Sequence, residues 1–179
     1  MIRVTISNEF KMFVWNRHHP HLLTSFIFNI TYFFLAVDFV CGKDNLSNLC
    51  VALDLLAGVP AGAEFLESLD ESPVTVFAPD DNALLTILGE TLSNPDPEAL
   101  LDLLQYHTIS GARVSTADLV CDQELTMGND GTTKISCNDE NTEYFIGGGG
   151  NERTPKIIEA DYLTCSSVVH IVDAVILAE

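Results

Sequence analysis

"TVFAPDDNAL", Thr75 to Leu84, is the stretch that decides how this chain is read. Thr75, Val76 and Phe77 are β-branched or aromatic, so it opens as a strand. Pro79 has no N–H to give a neighbouring strand and should end it. Behind it stand Asp80 and Asp81, either of which can accept a backbone N–H from the first turn of a helix over "DNALLTIL". The stretch reads as a structural joint. Phe77 should fill core beside Val76, Pro79 should stop the strand, and Asp81 or its neighbour should start the helix.

Upstream of this joint, "NLSNLCVALDLLAG" places Leu46, Leu49, Cys50, Leu53, Leu56 and Ala57 at helical spacing, with Gly58 as a stop. "VPAGAEFLESL" predicts a second short helix from Pro60, burying Phe65, Leu66 and Leu69. Downstream, "NPDPEALLDLLQYH" is the clearest helix. Asp96 is a natural N-cap, Pro97 suits the first helical position, and Glu98 favours the positive end of the dipole. Leu100, Leu101, Leu104 and His107 then share one side.

After Gly111 the pattern changes to strands. Two alternating runs flank Asn129-Asp130-Gly131, a hairpin signal. "TEYFI" and "PKIIEADYL" follow as strands joined by "GGGGNERT". "SSVVHIVDAVIL" reads as a long, mostly apolar final strand. Helices first and strands second, with one strand early, predict an α+β fold: a mainly antiparallel sheet with helices packed at one side.

The chain has 179 residues, enough for one domain and a leader. Hydrophobic residues make up 47% and charged ones 19%, which provides for a real core. A net charge of −18 repels a phosphate backbone and argues against nucleic-acid binding. It equally disfavours anionic lipid. Cations, basic protein surfaces and neutral glycans remain as partners.

The first forty residues differ. Lys11, Arg17 and "RHHPH" precede the apolar run "LLTSFIFNITYFFLAV", Leu22 to Val37. That is signal-peptide order, and slightly short of the ~20 residues a spanning helix needs. Val40 and Gly42 suit cleavage after Gly42, so residues 1–42 are read as a signal peptide and 43–179 as the domain. The alternative is an uncleaved signal anchor, the one route to a membrane.

Cleavage there removes Cys41 and leaves Cys50, Cys121, Cys137 and Cys165, the even set that secreted domains prefer. Three pairings are open. We expect Cys121–Cys137 across the hairpin and Cys50–Cys165 between the first helix and the last strand. Asn45-Leu46-Ser47 is a glycosylation sequon. Beyond Gly42, five Lys/Arg face twenty-four Asp/Glu, a net of −19.

Four segments in order, "TVFAPDDNAL", "LLQYHTISG", "LTMGN" and "SSVVHIVDAVIL", resemble the fasciclin domain family from about Leu46 to Leu177. The resemblance implies a compact β-sheet wedge flanked by helices, secreted or surface-attached, acting in cell adhesion and matrix contact rather than catalysis. Ser166-Ser167 stand where the family often has Asn-Gly, and Ala178 where a proline is common. In animal members a Tyr-His pair and an aspartate before the final strand are linked to integrin contact. The resemblance carries these roles onto Tyr106, His107 and Asp161, with Tyr162 replacing the usual aliphatic neighbour. An exposed aspartate can ligate a receptor-held metal, and an aromatic beside it supplies contact area. Thr75, Phe77, Pro79, Asp81, His170 and Asp173 carry the two signatures. His170 and Asp173, in an apolar strand, are expected to be partnered core residues.

No enzyme, cofactor or metal site is implied by the remaining motifs. "IGGGGNERTP" lacks the Lys-Ser/Thr of a phosphate loop and reads as a flexible connection. "NDENTE", Asn138 to Glu143, lacks the spacing and glycine of a calcium loop. There is no G-x-S-x-G, H-E-x-x-H or C-x-x-C. Two function classes stand. One is an adhesion module contacting a cell-surface or matrix protein, or a second copy of itself. The other is a secreted module binding a glycan or a small apolar ligand. Adhesion predicts an exposed apolar or aromatic patch near Asp161 and Tyr162, and ligand binding predicts a concave pocket.

Overall fold

The computed structural model describes residues 35–88, 96–140, 142–147 and 150–178, all within a compact unit running from Phe33 to Glu179. Most of the apolar leader, including Asn29, lies outside the described residues. Helix α1 (Ala36–Cys41) leads through a 3₁₀ turn (Asp44–Leu46) into α2 (Ser47–Ala57) and α3 (Pro60–Glu71). Strand β1 (Val74–Pro79), α4 (Asp81–Leu88), α5 (Pro97–Gln105) and β2 (Thr108–Ser110) follow. A 3₁₀ turn (Thr116–Asp118) then precedes β3 (Glu124–Thr126), β4 (Thr132–Cys137), β5 (Tyr144–Gly147), β6 (Ile157–Leu163) and β7 (Ser167–Val172).

The α+β class holds, with two sheets in place of one: a four-stranded sheet in the order β2-β1-β7-β6 and an antiparallel sheet β3-β4-β5. At the centre of the first, β1 and β7 run parallel, Val74 opposite Ser167 through Pro79 opposite Val172. All six residues of each are buried, as a strand covered on both faces requires. Val74, Val76 and Ala78 join Val169 and Ile171 in a core with the helices, including Leu49, Leu53 and Leu56 of α2, Phe65 and Leu69 of α3, and Leu100 and Leu104 of α5. Phe77 and Val172 face a second core with Leu125, Met127, Ile135, Ile146 and Ile176. The helices therefore cover one face of the first sheet and the second sheet covers the other.

The opening stretch behaves as its chemistry dictates. Pro79 is the last residue of β1. Asp80 starts α4 by accepting the Ala83 N–H at 2.7 Å. Asp81 does something else: its carboxylate accepts the Asn48 N–H at 2.7 Å and so caps α2 from outside. Asp96 caps α5 through the Glu98 N–H at 3.1 Å. The hairpin forms with Leu125 opposite Thr133, and Asp130 takes φ 64° in its turn, a left-handed conformation that aspartate tolerates.

Two expectations need correction. Residues before Lys43 pack with the rest: Ala36 and Val40 of α1 are buried in the helical core, and Cys41 bonds to Cys50. The Cys50–Cys165 pairing therefore fails, while Cys121–Cys137 forms; Cys165 is exposed. Strand β7 ends at Val172, well short of Leu177, because Asp173 turns its carboxylate to the Lys156 N–H at 2.8 Å and to Arg153 at 2.7 Å.

Local packing explains two sequence oddities. Ser166 and Ser167, at the departure from the family pattern, donate their hydroxyls to the Asp70 and Leu69 carbonyls, both at 2.6 Å. They satisfy carbonyls at the end of α3 that would otherwise lack partners. The glycine run is anchored at both described ends. A Cβ on Gly150 would lie 2.1 Å from the Ala178 carbonyl oxygen, and one on Gly147 would lie 2.8 Å from Thr154.

Candidate functional site

The signature residues converge on one loop. Thr75 is fully buried, and its hydroxyl donates to the Ala112 carbonyl at 2.9 Å while accepting the Val114 N–H at 2.8 Å. The Val114 carbonyl in turn lies 2.8 Å from His170 Nε2. His170 Nδ1 accepts the Asp161 N–H at 3.2 Å, which fixes the tautomer with the proton on Nε2. The ring stacks on Phe77, with centroids 5.6 Å apart. Burial holds the His170 imidazole below its ordinary pKa, so it is neutral.

Asp161 completes the set. Its φ is 61°, at a register irregularity between Glu159 and Tyr162 in the β6–β7 ladder. Its carboxylate accepts the Thr116 N–H at 2.8 Å and the Thr116 hydroxyl. Beside it, Asp118 accepts the Ser115 hydroxyl, which lowers the Asp118 pKa. Thr75, His170 and Asp161 thus hold Ala112 to Thr116 from three sides. The two family signatures, far apart in sequence, pin the same segment.

Tyr106 and His107 point into the protein. Tyr106 is buried, and its hydroxyl donates to the Thr132 carbonyl at 2.6 Å. Its ring lies so close to Gly131 that a Cβ there would come within 2.6 Å. His107 Nδ1 donates to the Leu103 carbonyl at 2.7 Å, and Nε2 accepts the Ile176 N–H at 2.9 Å. Burial pushes its pKa down to about 4. Both side chains fasten the end of α5 to the hairpin and to the C-terminal segment, leaving little surface for a partner.

Tyr162 is likewise engaged. Its ring centroid lies 4.9 Å from that of Phe39, Lys43 Nζ stands 4.5 Å from the ring centroid, and its hydroxyl donates to Glu159. Glu159 pairs with Lys43 at 2.7 Å, and this bond leads the causes that lower the Glu159 pKa. Asn45 joins the cluster: its amide nitrogen, the atom a glycan would occupy, donates to Glu159 at 3.3 Å. Only Asp161, with 40% of its side chain accessible, presents itself outward.

Sequence reasoning missed the residues around it. On β6, Ile158 is 44% and Leu163 67% exposed, and Ala160 is exposed between them. Strict alternation would turn Leu163 inward with Ile157. Pairing with β7 slips by one residue twice, between Ile157 and Glu159 and between Glu159 and Tyr162, so exposure along β6 does not follow strict alternation, and nothing in "IIEADYL" announces that. Ile158, Ala160, Asp161 and Leu163 therefore form the outer face of an edge strand. Among the described residues, no group of three His, Cys, Asp or Glu is placed to hold a metal, and no helix is long and apolar enough to cross a membrane.

Comparison with known proteins fits this geometry. The Fasciclin domain family model matches residues 53–178. The solved structure of a FAS1 domain pair from the insect cell adhesion molecule Fasciclin I is similar in fold, with a TM-score of 0.51 and 20% identity over 69% of this chain and 43% of that chain. The chain thus spans less than half the length of that pair. No curated protein matches the sequence.

Proposed function

The chain belongs to the fasciclin domain family, and from that premise we propose that it is a non-enzymatic extracellular adhesion or matrix-contact module. Its partner would be a cell-surface or matrix protein, or a second copy of the chain. The observation that carries this reading is the outer face of β6, where Ile158 and Leu163 stay exposed around the anchored carboxylate of Asp161. An apolar strip around a carboxylate has the make-up of a small contact surface. Two disulfides favour an oxidising compartment. The relative from the insect cell adhesion molecule supports the same class.

The reading places Tyr106 and His107 in the scaffold and moves the contact to β6. It also retains a leader upstream of α1, because a cut after Gly42 would remove the Cys41–Cys50 bridge. The test is cell attachment to a surface coated with residues 33–179, compared with Leu163→Glu. Attachment should fall in the variant while its thermal midpoint stays unchanged. Attachment that survives the charge, or that never occurs, would remove the proposal.

A further inference from the structure

Strands β5 and β6 are edges of different sheets. Among the described residues they meet at one bridge, Phe145 opposite Lys156, supported by the Ile146 N–H donating to the Pro155 carbonyl at 2.8 Å. Past that bridge the two strands part around a surface groove of about 430 Å³. One wall is Glu143 and Tyr144, the other Ile158 and Ala160, and Thr116 also lines it. The ion pair of Lys156 with Glu143 belongs to the same lining. The volume is within the range of ligand sites, ~300–1,000 Å³.

We propose that this groove receives an extended, basic segment of a partner protein, which adds as a strand to the exposed edge of β6 between Ile157 and Ala160. The inference deepens the adhesion reading and rests on it. Three observations carry it. First, an edge strand presents backbone N–H and C=O groups that an incoming strand can pair. Second, β6 slips against β7 between Ile157 and Glu159 and again between Glu159 and Tyr162, and Asp161 is left-handed, so the receiving edge is short and ends before Asp161. Third, charge selects the occupant. Beyond Gly42 the chain carries five Lys/Arg against twenty-four Asp/Glu. Four of those cations, Lys43, Lys134, Arg153 and Lys156, are already in ion pairs. An acidic strand would be repelled and a basic one steered in. Ile158 and Ala160 offer apolar contact to alternate residues of the guest.

The test uses residues 33–179 with disulfides intact and a fluorescent heptapeptide of alternating valine and lysine. Its controls are the same peptide N-methylated at alternate residues and a valine–glutamate peptide. Anisotropy should show saturable binding of the lysine peptide, about tenfold or more weaker for either control, and backbone amide resonances should move at Ile158 and Ala160. Ala160→Arg, a surface change at an already exposed position, should abolish binding. Equal binding of the N-methylated peptide, shifts confined to other strands, or full binding to Ala160→Arg would overturn strand addition. Cell attachment that is lost in Leu163→Glu but accompanied by no peptide binding keeps the adhesion reading and overturns this one. Peptide binding without attachment does the reverse.

Discussion

Acid should loosen this domain through His107 before the carboxylates matter. The ring is fully enclosed, and its Nε2 must stay unprotonated to accept the Ile176 N–H at 2.9 Å. In the unfolded chain the imidazole takes its proton near 6.5, in the folded one only near 4. Between those values the unfolded state binds more protons, so the stabilisation is complete above the unfolded value and is lost as pH falls from 6.5 toward 4. At about pH 5 the loss from this one ring is about 2 kcal/mol, from a full difference near 3 kcal/mol. His170, depressed by the same burial, adds in the same direction. Urea unfolding at about pH 7.5 and pH 5 should show the loss, and His107→Gln, which keeps an acceptor but cannot titrate, should flatten the slope by about that amount. If the variant does not fold, NMR titration of the native histidine resonances gives the same answer. A His107 resonance that titrates near its free value, or a pH-independent midpoint, would refute the reasoning.

Three further outcomes follow from named contacts. Thr75→Val keeps shape but strips the buried partner from the Ala112 carbonyl and the Val114 N–H; it should cost about 1–3 kcal/mol in chemical denaturation. The Cys41–Cys50 bridge closes a shorter loop than Cys121–Cys137, with sequence separations of 9 and 16. Each loss should cost about 3 kcal/mol, slightly less for the first, and a protein beginning at Lys43 should melt lower than one beginning at Phe33. Gly62→Ala places a Cβ 2.2 Å from the Leu56 carbonyl, so it should lower the thermal midpoint through a shift of α3 against α2, by about 1–3 kcal/mol of stability.

What could be read from the sequence was local. Asp96-Pro97-Glu98 and Asn129-Asp130-Gly131 write their helix start and hairpin in a few residues, because capping and left-handed turn chemistry depend on neighbours alone. The parallel pairing of β1 with β7 depends on residues 93 apart, as Val74 opposite Ser167, and leaves no mark in either strand. The packing of α1 was hidden because its apolar composition matches that of the segment it follows. Cysteine parity then favoured the wrong four. The Tyr106-His107 pair looked available because polar tips on an amphipathic helix suit both solvent and a satisfied core. The hairpin closing over Tyr106, with Gly131 against its ring, and the C-terminal segment giving the Ile176 N–H to His107 decide between the two. The exposed strip on β6 was invisible for the opposite reason: two register slips against β7, at Ile157–Glu159 and at Glu159–Tyr162, break the alternation that sequence reading relies on.

Signature residues hold Ala112 to Thr116, and the outer β6 face is the proposed contact. The measurement that tests this most directly is cell attachment scored against thermal midpoint for Ile158→Glu and Leu163→Glu, alongside Thr75→Val, on surfaces coated at equal density. The account predicts that both β6 variants lose attachment at an unchanged midpoint, while Thr75→Val lowers the midpoint and still supports attachment below it. Attachment that tracks the midpoint across all three proteins, with no separate effect of the β6 charges, would contradict it.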